Sequence, residues 1–131
     1  MRLLAVHMRS FLVLALVLLP ARQLLALPGA GASRLPKAPF TASGCSGSVC
    51  IDVQGSGTQV SDWETTAYAS ASVCTSADFW VNGAVERQGS TRCVAGGTQL
   101  ESDWTNTSFA NGTVLCNTWT GISGKPCETD G

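Results

Sequence analysis

From Gly44 onward, apolar and polar positions alternate in short runs. Val49-Cys-Ile-Asp-Val53 repeats with a period of two, the mark of a half-buried strand. Two Asn-Gly pairs, Asn82-Gly83 and Asn111-Gly112, stand between strand-like runs. Asn-Gly supplies the positive φ angles that a tight type I′ hairpin turn requires. The segment is rich in Ser, Thr, Gly and Val and poor in helix formers. Short strands with turns roughly every ten residues predict an all-β, antiparallel sandwich or barrel. Two other patterns precede it. Residues 33–43 hold two prolines and no alternation, and predict a flexible linker. Phe11 to Leu19 is an unbroken apolar run ended by Pro20.

The β region also repeats itself. Gly57-Thr-Gln-Val-Ser-Asp62-Trp63 recurs as Gly97-Thr-Gln-Leu-Glu-Ser-Asp103-Trp104 with one residue inserted, a spacing of about 42 residues. Each copy has a cysteine upstream (Cys50, Cys93) and another downstream (Cys74, Cys116). Two copies suit two similar halves packed face to face around one core. A two-residue turn at Asn111-Gly112 sets Ala110 opposite Thr113 and, counting back, Trp104 opposite Trp119. Such a cross-strand aromatic pair contributes roughly 0.2–1 kcal/mol. Trp63 is expected to do the same in the first copy.

The apolar run changes the picture of where this domain works. Arg2 and Arg9 precede it, Arg22 ends it, and Ala30-Gly31-Ala32 has the small-x-small form cut by signal peptidase. Residues 1–32 therefore read as a signal peptide, with Met8 as an alternative start, and residues 44–131 as the mature domain. The run is too short to span a membrane as a helix. Ala42-Ser-Gly-Cys45 weakly matches a bacterial lipidation site. The apolar run ends too far upstream for that, and lipidation would strand one cysteine. Loss of the leader removes the only histidine, His7. From Ser33 onward, five Lys and Arg oppose nine Asp and Glu, a net charge of 5 − 9 = −4. That disfavours nucleic acid and anionic membranes as partners.

Export followed by six cysteines, Cys45, Cys50, Cys74, Cys93, Cys116 and Cys127, implies a disulfide framework. A core this small benefits from three staples. Two pairings stand out. The sequential set is Cys45–Cys50, Cys74–Cys93 and Cys116–Cys127. Around Asn82-Gly83, Cys93 falls opposite Ser72, one diagonal step from Cys74, an offset that a bulge closes. A turn at Thr120-Gly121 leaves Cys116 and Cys127 with the same offset. The repeat-based set is Cys50–Cys74, Cys93–Cys116 and Cys45–Cys127. The sequential set is favoured.

Candidate chemistry is sparse. Without histidine, a Ser–His or Cys–His nucleophile and a histidine metal site are excluded. No metal, cofactor or catalytic residue is expected. Asp62, Glu64 and Asp103 flank two tryptophans, an arrangement met in glycan-cleaving sites, so a hydrolase using Asp62 and Asp103 is the rival reading. Arg87, within Glu86–Arg92, is the candidate contact of a protease-inhibitor loop. The leading reading is a non-catalytic extracellular or cell-surface module that binds a protein or a glycan as a monomer. Trp63, Trp80 and Trp104 are its candidate ligand-facing aromatics, with Trp80 nearest a loop tip. Asn106-Thr-Ser108 and Asn111-Gly-Thr113 match the N-glycosylation pattern.

Several further motifs span the domain: Cys45-Ser-Gly-Ser-Val-Cys50, Phe79-Trp-Val-Asn-Gly83, Phe109-Ala-Asn-Gly-Thr113 with Leu115-Cys-Asn117, and Gly124-Lys-Pro-Cys127-Glu. On these the chain resembles small secreted six-cysteine proteins of filamentous actinobacteria. The resemblance implies a bacterial secretory route, in which the glycosylation patterns are incidental. It transfers no catalytic or binding residue.

Overall fold

The computed structural model describes residues 38–131. The expected signal peptide and the first part of the linker lie outside the described residues. Ten strands are formed and no helix among the described residues. They are β1 (Pro39–Ser46), β2 (Val49–Ser56), β3 (Gln59–Ala69), β4 (Val73–Thr75), β5 (Ala77–Val81), β6 (Ala84–Gln88), β7 (Arg92–Val94), β8 (Thr98–Ser108), β9 (Val114–Trp119) and β10 (Cys127–Thr129). Two four-stranded antiparallel sheets, ordered β1-β2-β3-β8 and β10-β9-β5-β6, share one core, and β4 and β7 make a short separate ribbon. The fold is thus all-β and sandwich-like.

β1 starts at Pro39, inside the segment expected as linker. Its edge position explains the proline, which has no N–H to give to a ladder. Phe40 packs against the core from this strand.

The core follows from strand alternation. Val49, Ile51 and Val53 of β2 face inward, as do Trp63, Thr65, Ala67 and Ala69 of β3. Phe79, Leu115 and Trp119 meet them from the second sheet. The pairing of β2 with β3 shifts between Gln54 and Gly55, which leaves Ser61 as an extra residue. That bulge lets Val60 and Trp63, three apart, both face inward. In β8 the matching residues, Leu100 and Trp104, are four apart and need no bulge there. The one-residue difference between the repeat copies is therefore a difference in strand phase.

The repeat copies become β3 and β8, neighbours in one sheet, with Trp63 directly opposite Trp104. They do not form two facing halves. The expected pairing of Trp104 with Trp119 is also replaced, because β9 pairs with β5 and β10. The cause lies in the turns. At Asn82-Gly83 both central residues have positive φ (48° and 87°), and a two-residue hairpin joins Val81 to Ala84. At Asn111-Gly112 only the glycine does (83°), while Thr113 N donates to Ala110 O at 3.1 Å. That is the pattern of a type II turn, which splays the flanking strands instead of pairing them. The chain uses it to cross from one sheet to the other.

All three disulfides belong to the sequential set, and each joins residues directly opposite in register. Their Cα–Cα separations are 4.0, 3.9 and 4.1 Å, the narrow spacing of a non-hydrogen-bonded pair. For Cys74–Cys93 the expected two-residue offset is absorbed in steps. The register slips once between Phe79 and Trp80 and again before the β4–β7 ribbon.

Candidate functional site

Trp63 is not ligand-facing. It is 0 % exposed and stacks on Trp104 with centroids 5.6 Å apart and planes 18° apart. Phe79 and Phe109 meet both indoles edge-on at 5.0 to 6.0 Å. Trp104 is half-buried at the margin of this cluster. Its ring is covered by Arg87, whose guanidinium carbon lies 5.6 Å from the centroid. Arg87 thus folds back on the protein from edge strand β6. Arg92 does likewise: it lies over Trp119 at 5.9 Å and donates to the Glu101 carbonyl of β8. β8 is an edge strand, and Arg92 occupies part of its open hydrogen-bonding side.

Neighbours along a strand point to opposite faces. With Trp63 and Trp104 turned inward, Asp62 and Asp103 turn outward. The carboxylates and indoles that adjoin in sequence therefore lie on opposite sides of the sheet. Asp62 is opposite Thr105, and Asp103 is opposite Glu64, so the two aspartates are diagonal neighbours. The indoles of Trp63 and Trp104 therefore offer no stacking platform on the aspartates' face.

What the outer face of this sheet does carry is a row of carboxylates. Asp52, Glu64 and Asp103 lie directly opposite one another across β2, β3 and β8, with Asp62 and Glu101 beside them. Like charges in register repel. Glu64, in the middle, has its pKa raised above the ordinary value, first by burial and then by Glu101, Asp62, Asp52 and Asp103. A hollow of about 240 Å³ lies at one end of the row, between Asp52, Glu64 and the Cys45–Cys50 disulfide. No group of three or more potential ligand side chains suited to a metal ion occurs among the described residues.

Trp80 is placed differently from the other tryptophans. Phe79 points into the core, so Trp80 points out, onto the exterior of the β10-β9-β5-β6 sheet, where it is half-exposed. Its Nε1 donates to Thr118 Oγ1 at 2.8 Å, and Thr118 in turn neighbours Asp78 Oδ2 at 3.5 Å. Gln88 Nε2 donates to the other oxygen of Asp78 at 2.8 Å. The Lys125 ammonium stands 3.8 Å from the Trp80 ring centroid, a close cation–π contact. Val85, opposite Trp80 in register, is 46 % exposed, and Val114 on β9 is 39 % exposed. These are two of the three large apolar side chains most open to solvent among the described residues; the third is Tyr68, at 52 %. The face thus has an oriented indole, a cation and apolar neighbours, held by hydrogen bonds on a sheet rather than on a loop. The turn signal at Asn82-Gly83 was the clue that placed Trp80 near a surface; the contribution of Lys125, 45 residues downstream, had no sequence signal.

Searches of protein-family models, curated proteins and solved structures found no match to this chain.

Proposed function

We propose that this chain is a non-catalytic extracellular binding module whose contact face is the outer surface around Trp80. The supporting observation is the orientation of that indole. Of the three candidate aromatics it alone points away from the core, with its N–H anchored on Thr118 and Lys125 over its ring. Tryptophan on a rigid sheet, flanked by Val85 and Val114, suits docking of a protein or stacking of a sugar. Three disulfides are typical of proteins that work outside the reducing cytosol. No helix among the described residues is long and apolar enough to cross a membrane. Export through the leader at residues 1–32, and action as a monomer, belong to the same proposal.

The test is capture of extracellular partners and a glycan array, both with the oxidised domain, comparing wild type with Trp80→Ala. Loss of a captured ligand with the fold intact supports the reading. A ligand bound equally by both proteins overturns this face as the site. Hydrolysis by Asp62 and Asp103 is the rival, favoured by their shared outward face and diagonal placement. Glycan hydrolysis that disappears in Asp62→Asn with Asp103→Asn would establish it in place of the binding reading.

A further inference from the structure

Asp130 is the most anomalous ionisable group among the described residues. It is 1 % exposed, and neither side-chain oxygen has a hydrogen-bond partner among the described residues. A buried unpaired carboxylate is far costlier than a buried neutral carboxyl. Its backbone, in contrast, is fully engaged. Asp130 N donates to Thr113 O at 2.8 Å, and Gly112 N donates to Asp130 O at 2.7 Å. The residue is thereby bound to the type II turn by which the chain crosses between the sheets. Gly131 lies against Asn111 of the same turn, and Phe40, Asn111 and Gly131 border a hollow of about 490 Å³.

Two features isolate this contact from the rest of the fold. Cys127 is fixed to Cys116, so the sandwich is anchored just before it. The β9–β10 ladder ends at Thr129, opposite Val114, and nothing covalent holds residues 130–131 to the turn. We propose that residues 130–131 form a latch on the 110–113 turn, closed while the Asp130 carboxyl is neutral and released when it ionises.

Among the described residues, the elements packed against Asp130 offer no cation to hold the charged form closed. β1, β9 and the turn residues 109–113 carry no titrating or charged side chain. β10 contributes Glu128, whose carboxylate lies over Gly44 of β1, where a Cβ would stand 2.6 Å from Oε1. β2, which also approaches β10, contributes Asp52, on its outward face. Both are acids, so neither supplies a counter-charge. Burial accordingly raises the pKa of Asp130 above the usual aspartate value. A raised folded pKa fixes the sign: the latch holds fully below the ordinary aspartate range and weakens as pH rises through the raised value.

The test is an NMR titration of the oxidised protein from pH 3 to pH 8, following shifts and hydrogen-exchange protection of the Gly112 and Asp130 amides. Wild type is expected to lose about tenfold or more of that protection at high pH, with one midpoint above the ordinary carboxylate range, while amides of β2 and β3 keep theirs. Asp130→Asn should hold the latch closed throughout, and Glu128→Gln should keep the transition. Equal protection at both ends of the range, a midpoint at or below ordinary carboxylate values, or a transition surviving in Asp130→Asn would overturn the proposal.

Discussion

Trp63 Nε1 donates to Asn117 Oδ1 at 2.7 Å, across the interior between the two sheets, and both side chains are 0 % exposed. Two residues further along each strand the relation is reversed: Trp119 Nε1 donates to Thr65 Oγ1 at 3.1 Å. Asn117 Nδ2 and Thr65 Oγ1 pass the bonds on to the carbonyls of Asp78 and Cys50. Each sheet therefore supplies one indole donor and one acceptor to the other. This reciprocal tie sets the register of sheet on sheet in a way that aliphatic packing alone does not.

Asn117→Leu should remove the acceptor while keeping the volume. The buried Trp63 N–H is then unsatisfied, at a cost of about 2–3 kcal/mol. Chemical denaturation followed by tryptophan fluorescence measures this. Trp63→Phe in the Asn117→Leu background should recover part of the loss, which a double-mutant cycle reads directly.

Thr75 Oγ1 is buried without a hydrogen-bond partner among the described residues. Thr75→Val keeps the shape and deletes the unpaired hydroxyl, and should stabilise the fold by about 1 kcal/mol. A higher denaturation midpoint with an unchanged slope is the expected result.

The three disulfides should differ in worth. The Cys74–Cys93 bridge spans 19 positions in sequence, Cys116–Cys127 spans 11 and Cys45–Cys50 spans 5. Loop-closure entropy then predicts losses of about 3 kcal/mol for the longest and about 2 kcal/mol for the shortest when each is replaced by paired alanines. Equilibrium unfolding of the three double variants ranks them.

The acidic row should make stability fall as Glu64 ionises. Glu64 has a folded pKa raised above its unfolded value. Its favourable contribution is present below the ordinary glutamate range and is lost as pH rises through the raised value. Glu64→Gln should therefore match wild type near pH 3.5 and exceed it in Tm at pH 7. Differential scanning calorimetry at the two pH values checks the sign.

Arg87 is expected to matter for the fold through its cover over Trp104. Arg87→Ala should cost about 0.5–1 kcal/mol in denaturation and expose Trp104 further. Collisional quenching of tryptophan fluorescence should rise with it.

Much of the architecture was legible along the chain because it is local. Val49 to Val53 alternate, and β2 buries the odd members. Asn82-Gly83 makes its hairpin because both residues accept positive φ. The sequential disulfides join strands that flank a hairpin or neighbour each other along the chain. Asn111-Gly112 carries the same dipeptide but makes a different turn, since β9 finds its partners in β5 and β10. The start of β1 was hidden for a similar reason: Pro39 carries no alternation signal, and only pairing with Ser56 makes it a strand.

The candidate site divides along the same line. Asp62-Trp63 and Asp103-Trp104 look like one chemical unit when read in order, but a strand turns neighbouring side chains to opposite faces. Which face becomes interior is decided by the second sheet, where Asn117 and Phe79 wait for Trp63. The sequence by itself determined the all-β class, the even count of thiols and a preference for the sequential staples, because alternation, turn chemistry and spacing are properties of near neighbours. Only the tertiary structure decided that Trp63 is core, that Trp80 carries Lys125 on an outer face, and that Asp130 is sealed beneath a distant turn. Burial depends on residues brought together from far along the chain, and no local pattern records it.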